Sequence, residues 1–173
     1  SESLASSSSL LPSTQSAVTA AQQMGGDVVL LTAGKDGPPA QVPQGVKTVV
    51  HCVTESAPVL PETWALAIQH AVASSSLSDC EAVIGTSTKT GSSVIPRAAA
   101  LLNASPISDV LQVVDADTFH RPMYAGNALA TVQTKPGSLK IMTVRPTSFE
   151  KAPMVDIGDI PVTEVVLEEF KGS

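Results

Sequence analysis

Apolar positions in the first hundred residues alternate between two periods. Ala17, Val18, Ala20, Ala21 and Met24 recur at helical spacing behind Ser13. This predicts a helix with Ser13 as N-cap and Gly25–Gly26 as its stop. VVLLTA (Val28–Ala33) is a short continuous apolar run, the signature of a strand buried on both faces. GKDGPPAQVPQG (Gly34–Gly45) holds three prolines and three glycines, which argues against a helix there. TVVHCV (Thr48–Val53) reads as a second buried strand. PETWALAIQHAVASSS (Pro61–Ser76) reads as a helix, with Pro61 in its first turn and Trp64, Ala67, Ile68, Ala71 and Val72 on one face. EAVIGT (Glu81–Thr86) is a third strand. SSVIPRAAALLN (Ser92–Asn103) is a further helix, capped by Ser92 or Ser93. Its start is expected close before Pro96, because only first-turn amides lack a helical acceptor.

That alternation belongs to an open α/β sheet with helical crossovers. After SPISD (Ser105–Asp109) the pattern changes. VLQVVDADTF, MYAGNALATVQTK and LKIMTVRP read as strands with short connections, and Pro136–Gly137 as a turn. The second half is therefore expected to be strand-rich, with hairpins or edge strands. On the strand containing Tyr124, His120, Pro122 and Tyr124 are expected on one face and Arg121 and Met123 on the other, with Gly126–Asn127 at a turn or bulge. From Pro153 the chain is acidic and alternating, suited to docking on a partner or on its own sheet edge. Residues 1–12 are Ser-rich and read as a loop or tail.

The length, 173 residues, suits one domain with a sizeable core. Hydrophobic residues make up 43% and charged residues 15%, so the core is apolar and the chain globular. The net charge of −6 disfavours nucleic acid and anionic membrane surfaces, and aromatic residues at 3% are too few for a base-stacking platform. The two cysteines, Cys52 and Cys80, give no disulfide framework and fit a reducing compartment. No run approaches the ~18 apolar residues of a spanning helix. The N-terminus has no basic region ahead of an apolar run, so it does not read as a signal peptide.

Few constellations point to chemistry. GTSTKTGSS (Gly85–Ser93) joins a strand to a helix, where backbone amides favour anions. Gly85, Lys89 and Gly91 are its weak anion-loop candidates. The spacing nonetheless departs from a phosphate loop, with five residues between the glycines and Lys89 inside. His51, His70 and His120 lie far apart without zinc spacing, and no metal site is expected. No serine sits on a nucleophile elbow, and the aspartates read as turn residues. Arg97, Asp109, Arg121, Tyr124, Asn127 and Arg145 stand as structural or interface candidates, because arginine can grip carboxylates bidentately in a partly buried network.

Several segments resemble one family. GTSTKTGSSVIPRAAALLNASPISDVLQV is similar to the Pro-Arg-x-Ala-Ala-x-Leu and Pro-Ile-Ser-Asp segment of the electron transfer flavoprotein α subunit. DTFHRPMYAGNALATVQT resembles its Asp-Thr-Phe-x-Arg and Tyr-Ala-Gly-Asn-Ala strand pair. IMTVRPTSFEKA and AVTAAQQMGGDVVLLTAG resemble further segments in the same order. The resemblance implies an α/β fold, a three-layer, mostly parallel open sheet. It would be Rossmann-like and adenine-nucleotide-hydrolase-like, with antiparallel strands added in the second half. It implies the N-terminal domain of that subunit over residues 1–152, followed by an acidic tail or linker over 153–173, with the C-terminal FAD domain absent. The family is an electron carrier rather than a substrate-converting enzyme. It pairs with a β subunit, holds FAD mainly in the C-terminal domain, and takes electrons from acyl-CoA dehydrogenases. It passes them to a ubiquinone oxidoreductase, in the mitochondrial matrix or, in prokaryotes, from the cytoplasm. No cofactor is expected on this segment alone, nor nucleic acid or membrane insertion. Two departures stand out. The family opens with an apolar strand ahead of the Ser3-Leu4-Ala5 segment, so an inner strand is expected to be missing and its neighbours' edges exposed. Gly34–Gly45 is too short and Pro-rich for the family's second crossover helix. The alternative reading is a stand-alone adenine-nucleotide-binding domain using Gly85–Gly91.

Overall fold

A computed structural model describes residues 10–55, 59–74 and 77–167. The ends of the N-terminal tail, of the second helix and of the acidic segment, as read from sequence, fall outside that range. The described residues form three helices and eleven strands: α1 (Pro12–Met24), β1 (Val28–Gly34), β2 (Gln41–Pro43), β3 (Val46–Val53), α2 (Pro61–Ala73), β4 (Ala82–Thr86), α3 (Lys89–Leu101), β5 (Pro106–Val110), β6 (Gln112–Asp115), β7 (Thr118–Met123), β8 (Ala128–Gln133), β9 (Lys140–Val144), β10 (Met154–Asp156) and β11 (Val162–Val166).

The middle layer is two parallel half-sheets, ordered β1-β3-β11 and β4-β9-β5. An antiparallel sheet, β6-β7-β8, and the small pair β10-β2 complete the fold. Helix α1 covers one face and straddles both halves. Its Val18 packs with Val28, Leu30 and Val49 of the first half, and its Ala20 with Val110, Met142 and Val144 of the second. On the opposite face α2 and α3 pack together through Ala65, Ile68, Val94, Ile95 and Ala98, over Leu31 and Val83. The continuous apolar runs of β1, β3 and β4 are thus explained by helices on both sides.

Three local readings are corrected. Ser13 does not cap α1: Leu11 holds the N-cap position without a side-chain bond, and Pro12, whose φ is already helical, sits in the first turn. Gly25 ends the helix at φ +84°, as its sequence position indicates. Helix α3 starts at Lys89, earlier than Ser92 or Ser93, because the Thr88 side chain accepts from the Gly91 N–H at 3.2 Å. Pro96 therefore lies in the helix interior and leaves the Ser92 carbonyl without its helical donor. Both residues are exposed, so water can reach that carbonyl. Finally, VLQVVDADTF is not one strand: Val110 ends β5, and Gln112–Asp115 and the start of β7 belong to separate strands. Gly34–Gly45 holds no helix but the short β2.

The acidic segment folds back on the chain itself. β10 pairs antiparallel with β2, and β11 adds in parallel to the outer edge of β3. Strand β9 ends up central, between β4 and β5, and is buried at all five positions. Its first residue, Lys140, is a buried lysine whose Nζ pairs with Asp117 at 2.8 Å, tying the β6–β7 turn to the parallel sheet.

His51 on β3 is 2% exposed and shares a 2.9 Å hydrogen bond with Thr32 Oγ1 through Nδ1. Burial holds its pKa below the ordinary value of 6.5, outweighing the nearby Glu164 carboxylate. Cys52 beside it is buried and free, its thiol pushed up to about 11 by desolvation.

Two outcomes follow from this packing. An added Cβ at Gly91 would meet the Thr86 carbonyl oxygen at 1.9 Å, whereas one at Gly34 meets nothing within 4 Å. Gly91→Ala is expected to cost about 1–3 kcal/mol in urea melts and Gly34→Ala to be near neutral; equal effects refute the close-approach reading. For His51, the unfolded chain binds a proton that the folded chain resists. Stability therefore falls as pH drops through the ordinary imidazole range toward the lowered folded value. Comparing denaturation at about pH 7.5 and about pH 5.5 should show a shallower acid loss for His51→Gln than for the parent chain.

Candidate functional site

Five of the six interface candidates fall in one region, built by a bulge. The register of β5 against β9 shifts between Ile107 and Val110, where Asp109 adopts φ +60°. Its amide leaves the ladder and donates to Thr143 Oγ1 at 2.9 Å. The bulge points the Asp109 carboxylate at Arg145, one residue past the end of β9. Arg145 Nε donates to Asp109 Oδ1 at 3.1 Å and Nη2 to Oδ2, a bidentate pair. That pairing raises the already high pKa of the guanidinium.

Arg121 comes from β7, next in space. Its Nε donates to the Ser108 carbonyl at 3.0 Å and Nη2 to Ser108 Oγ at 3.1 Å. Among the described residues it has no carboxylate within ion-pair distance. Tyr124 does not continue β7. The strand stops at Met123, and Tyr124, Ala125 and Gly126 take φ of +50°, +53° and +87°, a left-handed turn leading into β8. Tyr124 is therefore not on a strand face with His120 and Pro122; it leaves the strand and lines one groove with Arg121, Pro122 and Met123. The Asn127 amide closes the turn by donating to the Tyr124 carbonyl at 3.1 Å. His120 pairs across the sheet with Gln112, its Nδ1 3.1 Å from Oε1.

These residues line an open groove of about 500 Å³, bounded by Asp109, Arg121, Pro122, Met123, Tyr124 and Arg145. Tyr124 is 76% exposed, and Leu129, opposite Pro122 on β8, is 59% exposed. The groove joins an exposed aromatic ring and apolar side chains to one unneutralised guanidinium. It brings together no nucleophile and base. Among the described residues no three His, Cys, Asp or Glu side chains form a metal-binding group. Ser108 and Thr143, which hold the groove together, were not singled out by sequence; only the Pro-Ile-Ser-Asp signature touched one of them.

Elsewhere, Arg97 of α3 pairs with Glu62 of α2 at 3.0 Å, with both side chains about half exposed. Such a pair adds little stability. The strand-loop-helix connection is close-packed: Gly85 has Ile95 at 2.6 Å from the position of a Cβ, Gly91 abuts Thr86, and Lys89 is exposed.

The family model described as "Electron transfer flavoprotein domain" matches residues 4–169. The chain is 40% identical over 152 residues to the mitochondrial electron transfer flavoprotein subunit alpha of Dictyostelium discoideum, covering 83% of this chain and 42% of that protein. It is 38% identical over 146 residues to the subunit alpha of Pseudomonas aeruginosa, covering 82% and 45%. To the probable mitochondrial subunit alpha of Schizosaccharomyces pombe it is 37% identical over 163 residues, covering 90% and 46%. The mixed α/β fold is consistent with that of the electron transfer flavoprotein domain. The chain belongs to the electron transfer flavoprotein family, and it spans less than half the length of the curated relatives it matches.

The N-terminus of α3 does not fit the diphosphate of flavin adenine dinucleotide, the cofactor the family implies, because the Gly91 amide such a group would need is already held by the Thr88 side chain.

A chemical test separates the two contributions at the bulge. Asp109→Asn and Asp109→Ala both remove the carboxylate, but only asparagine tolerates the left-handed conformation well. The alanine variant should be less stable than the asparagine variant by about 1 kcal/mol in urea titrations; equal midpoints contradict a backbone held at positive φ.

Proposed function

We propose that these residues are the scaffold and partner-pairing domain of an electron transfer flavoprotein α subunit. In the full αβ heterodimer FAD is held mainly by parts outside these residues. The assembly acts as an electron carrier and not as a substrate-converting enzyme. It takes electrons from acyl-CoA and related dehydrogenases and delivers them to a ubiquinone oxidoreductase, in the mitochondrial matrix or, in a prokaryote, the cytoplasm.

One observation carries the pairing role: the groove beside the left-handed turn, where Tyr124 projects next to Arg121. Tyrosine and arginine are the residue types that concentrate binding energy in protein interfaces. The groove is also built on β5, β7 and the end of β9, all tied into the sheet, so its shape is set before a partner arrives. The unneutralised Arg121 favours an acidic or carbonyl-rich surface opposite it.

Mixing the purified chain with an electron transfer flavoprotein β subunit should give a co-eluting complex in size-exclusion chromatography. Tyr124→Asp and Leu129→Asp replace exposed side chains and should leave the melting temperature nearly unchanged. Each should weaken the complex by at least about tenfold. Undiminished binding by both variants moves the pairing surface elsewhere, and no complex with the parent chain refutes the pairing role.

A further inference from the structure

The acidic segment places on the edge of β3 a strand with little side-chain packing. In β11 Val162, Thr163, Glu164 and Val166 are exposed. Val165, and Leu167 just past the strand, pack against Ala33, Cys52 and Ala67. The register sets three polar side chains level across three adjacent strands: Thr32 of β1, His51 of β3 and Glu164 of β11. Thr32 Oγ1 holds Nδ1 of the imidazole at 2.9 Å. Nε2 is buried and has no hydrogen-bond partner among the described residues. We propose that β11 is an acid-released strap: a proton on His51 frees this edge strand from β3 while the parallel sheet behind it stays closed.

The direction follows from what surrounds the ring. A protonated imidazole donates from both nitrogens. The Thr32 hydroxyl can accept from Nδ1, but Nε2 would carry its proton into a buried place where it forms no hydrogen bond. Charge nearby is sparse. β1 and α1 contain no charged residue, and Lys47 of β3 is exposed at the other end of its strand. Asp156 of β10 is held by Gln41 at 2.9 Å. Glu164 favours the proton, yet its side chain is exposed and screened by solvent. Burial outweighs both Glu164 and the Gly34 carbonyl and holds the imidazole below its ordinary range.

Proton uptake therefore favours an opening that gives the ring to water. β1 cannot supply it cheaply, because Leu30 and Ala33 are buried in the core. β11 has the least to lose, being an edge strand with most side chains already in solvent. The ladder places the opening at His51 itself. The Val49 amide donates to the Pro161 carbonyl and the Leu167 amide to the Val53 carbonyl, so the His51 peptide between them faces β11. Release bares the Val49–Val53 edge of β3, and the strap thus controls what can pair there.

Hydrogen exchange on the 173-residue chain tests this. The reporters are the amides of Thr163, Val165 and Leu167, which alternate toward β3, with those of β9 as reference. Between about pH 7.5 and about pH 5.5, a window above the carboxylate range, exchange in β11 corrected for intrinsic rates should speed up by about three- to tenfold. It should be insensitive to urea below the unfolding transition, whereas exchange in β9 follows the slope of global unfolding. His51→Gln should abolish the acid step. Glu164→Gln, at an exposed side chain, should keep or enlarge it, since the carboxylate favours the proton while the strap is closed. Slower β11 exchange in acid means that a His51–Glu164 pair tightens the strand, and overturns the proposal. So does an acid step that survives in His51→Gln or vanishes in Glu164→Gln, and so does β11 exchange that rises with urea as steeply as that of β9. Should His51→Gln not fold, Glu164→Gln and the urea slope decide.

Discussion

The constraint on which this structure depends is that a parallel strand under helices must pair its backbone along both edges, because water does not reach it there. Strand β9 meets it fully, between β4 and β5, and every one of its residues is buried. To reach that place the chain leaves the parallel layer after β5, makes the antiparallel β6-β7-β8 sheet and returns. The same requirement recruits the acidic segment, whose β11 covers the outer edge of β3. The helices then do what the strands alone do not: α1 on one face and the α2–α3 pair on the other hold the half-sheets in one layer across the cavity between β1 and β4.

The elements legible in sequence were those whose pattern is local. VVLLTA, TVVHCV and EAVIGT are strands because helices cover both faces, and that leaves a continuous apolar run. The helices were placed by their apolar stripes, but their caps were not, since serine is a good cap in general while Pro12 and Thr88 win in this context. Thr88 wins because its side chain accepts from the Gly91 amide, and Gly91 packs against Thr86, contacts invisible to periodicity. β5 was missed because its bulge breaks the alternation at Asp109, and β11 pairs with a strand more than a hundred residues earlier.

The groove was half legible. Arginines and tyrosine were chosen for their chemistry, but the strand reading set Tyr124 on the wrong face. Neither tyrosine nor alanine announces a left-handed conformation, and three such residues in a row are seldom found away from glycine and asparagine. Conformations of this kind persist only where the surroundings over-determine them, and they concentrate at binding and switching sites. Here β7 and β8 are in unbroken register on both sides of the turn, which fixes it. The Asp109 bulge is fixed in the same manner, by Thr143 on one side and Arg145 on the other.

The groove and the cavity differ in what they present. The groove presents side chains on rigid supports, with its backbone already committed to turns and ladders, so it discriminates by shape and charge. The cavity is bordered by the backbone edges of β1 and β4 beneath the helices rather than by a set of placed side chains. They lie in different parts of the fold and share no lining residue. Strand β9 nevertheless connects them, since its neighbour β4 forms one wall of the cavity and its C-terminal continuation, Arg145, anchors the groove. Order in the apolar interior and the preformed shape of the polar surface are thereby two consequences of one backbone ladder.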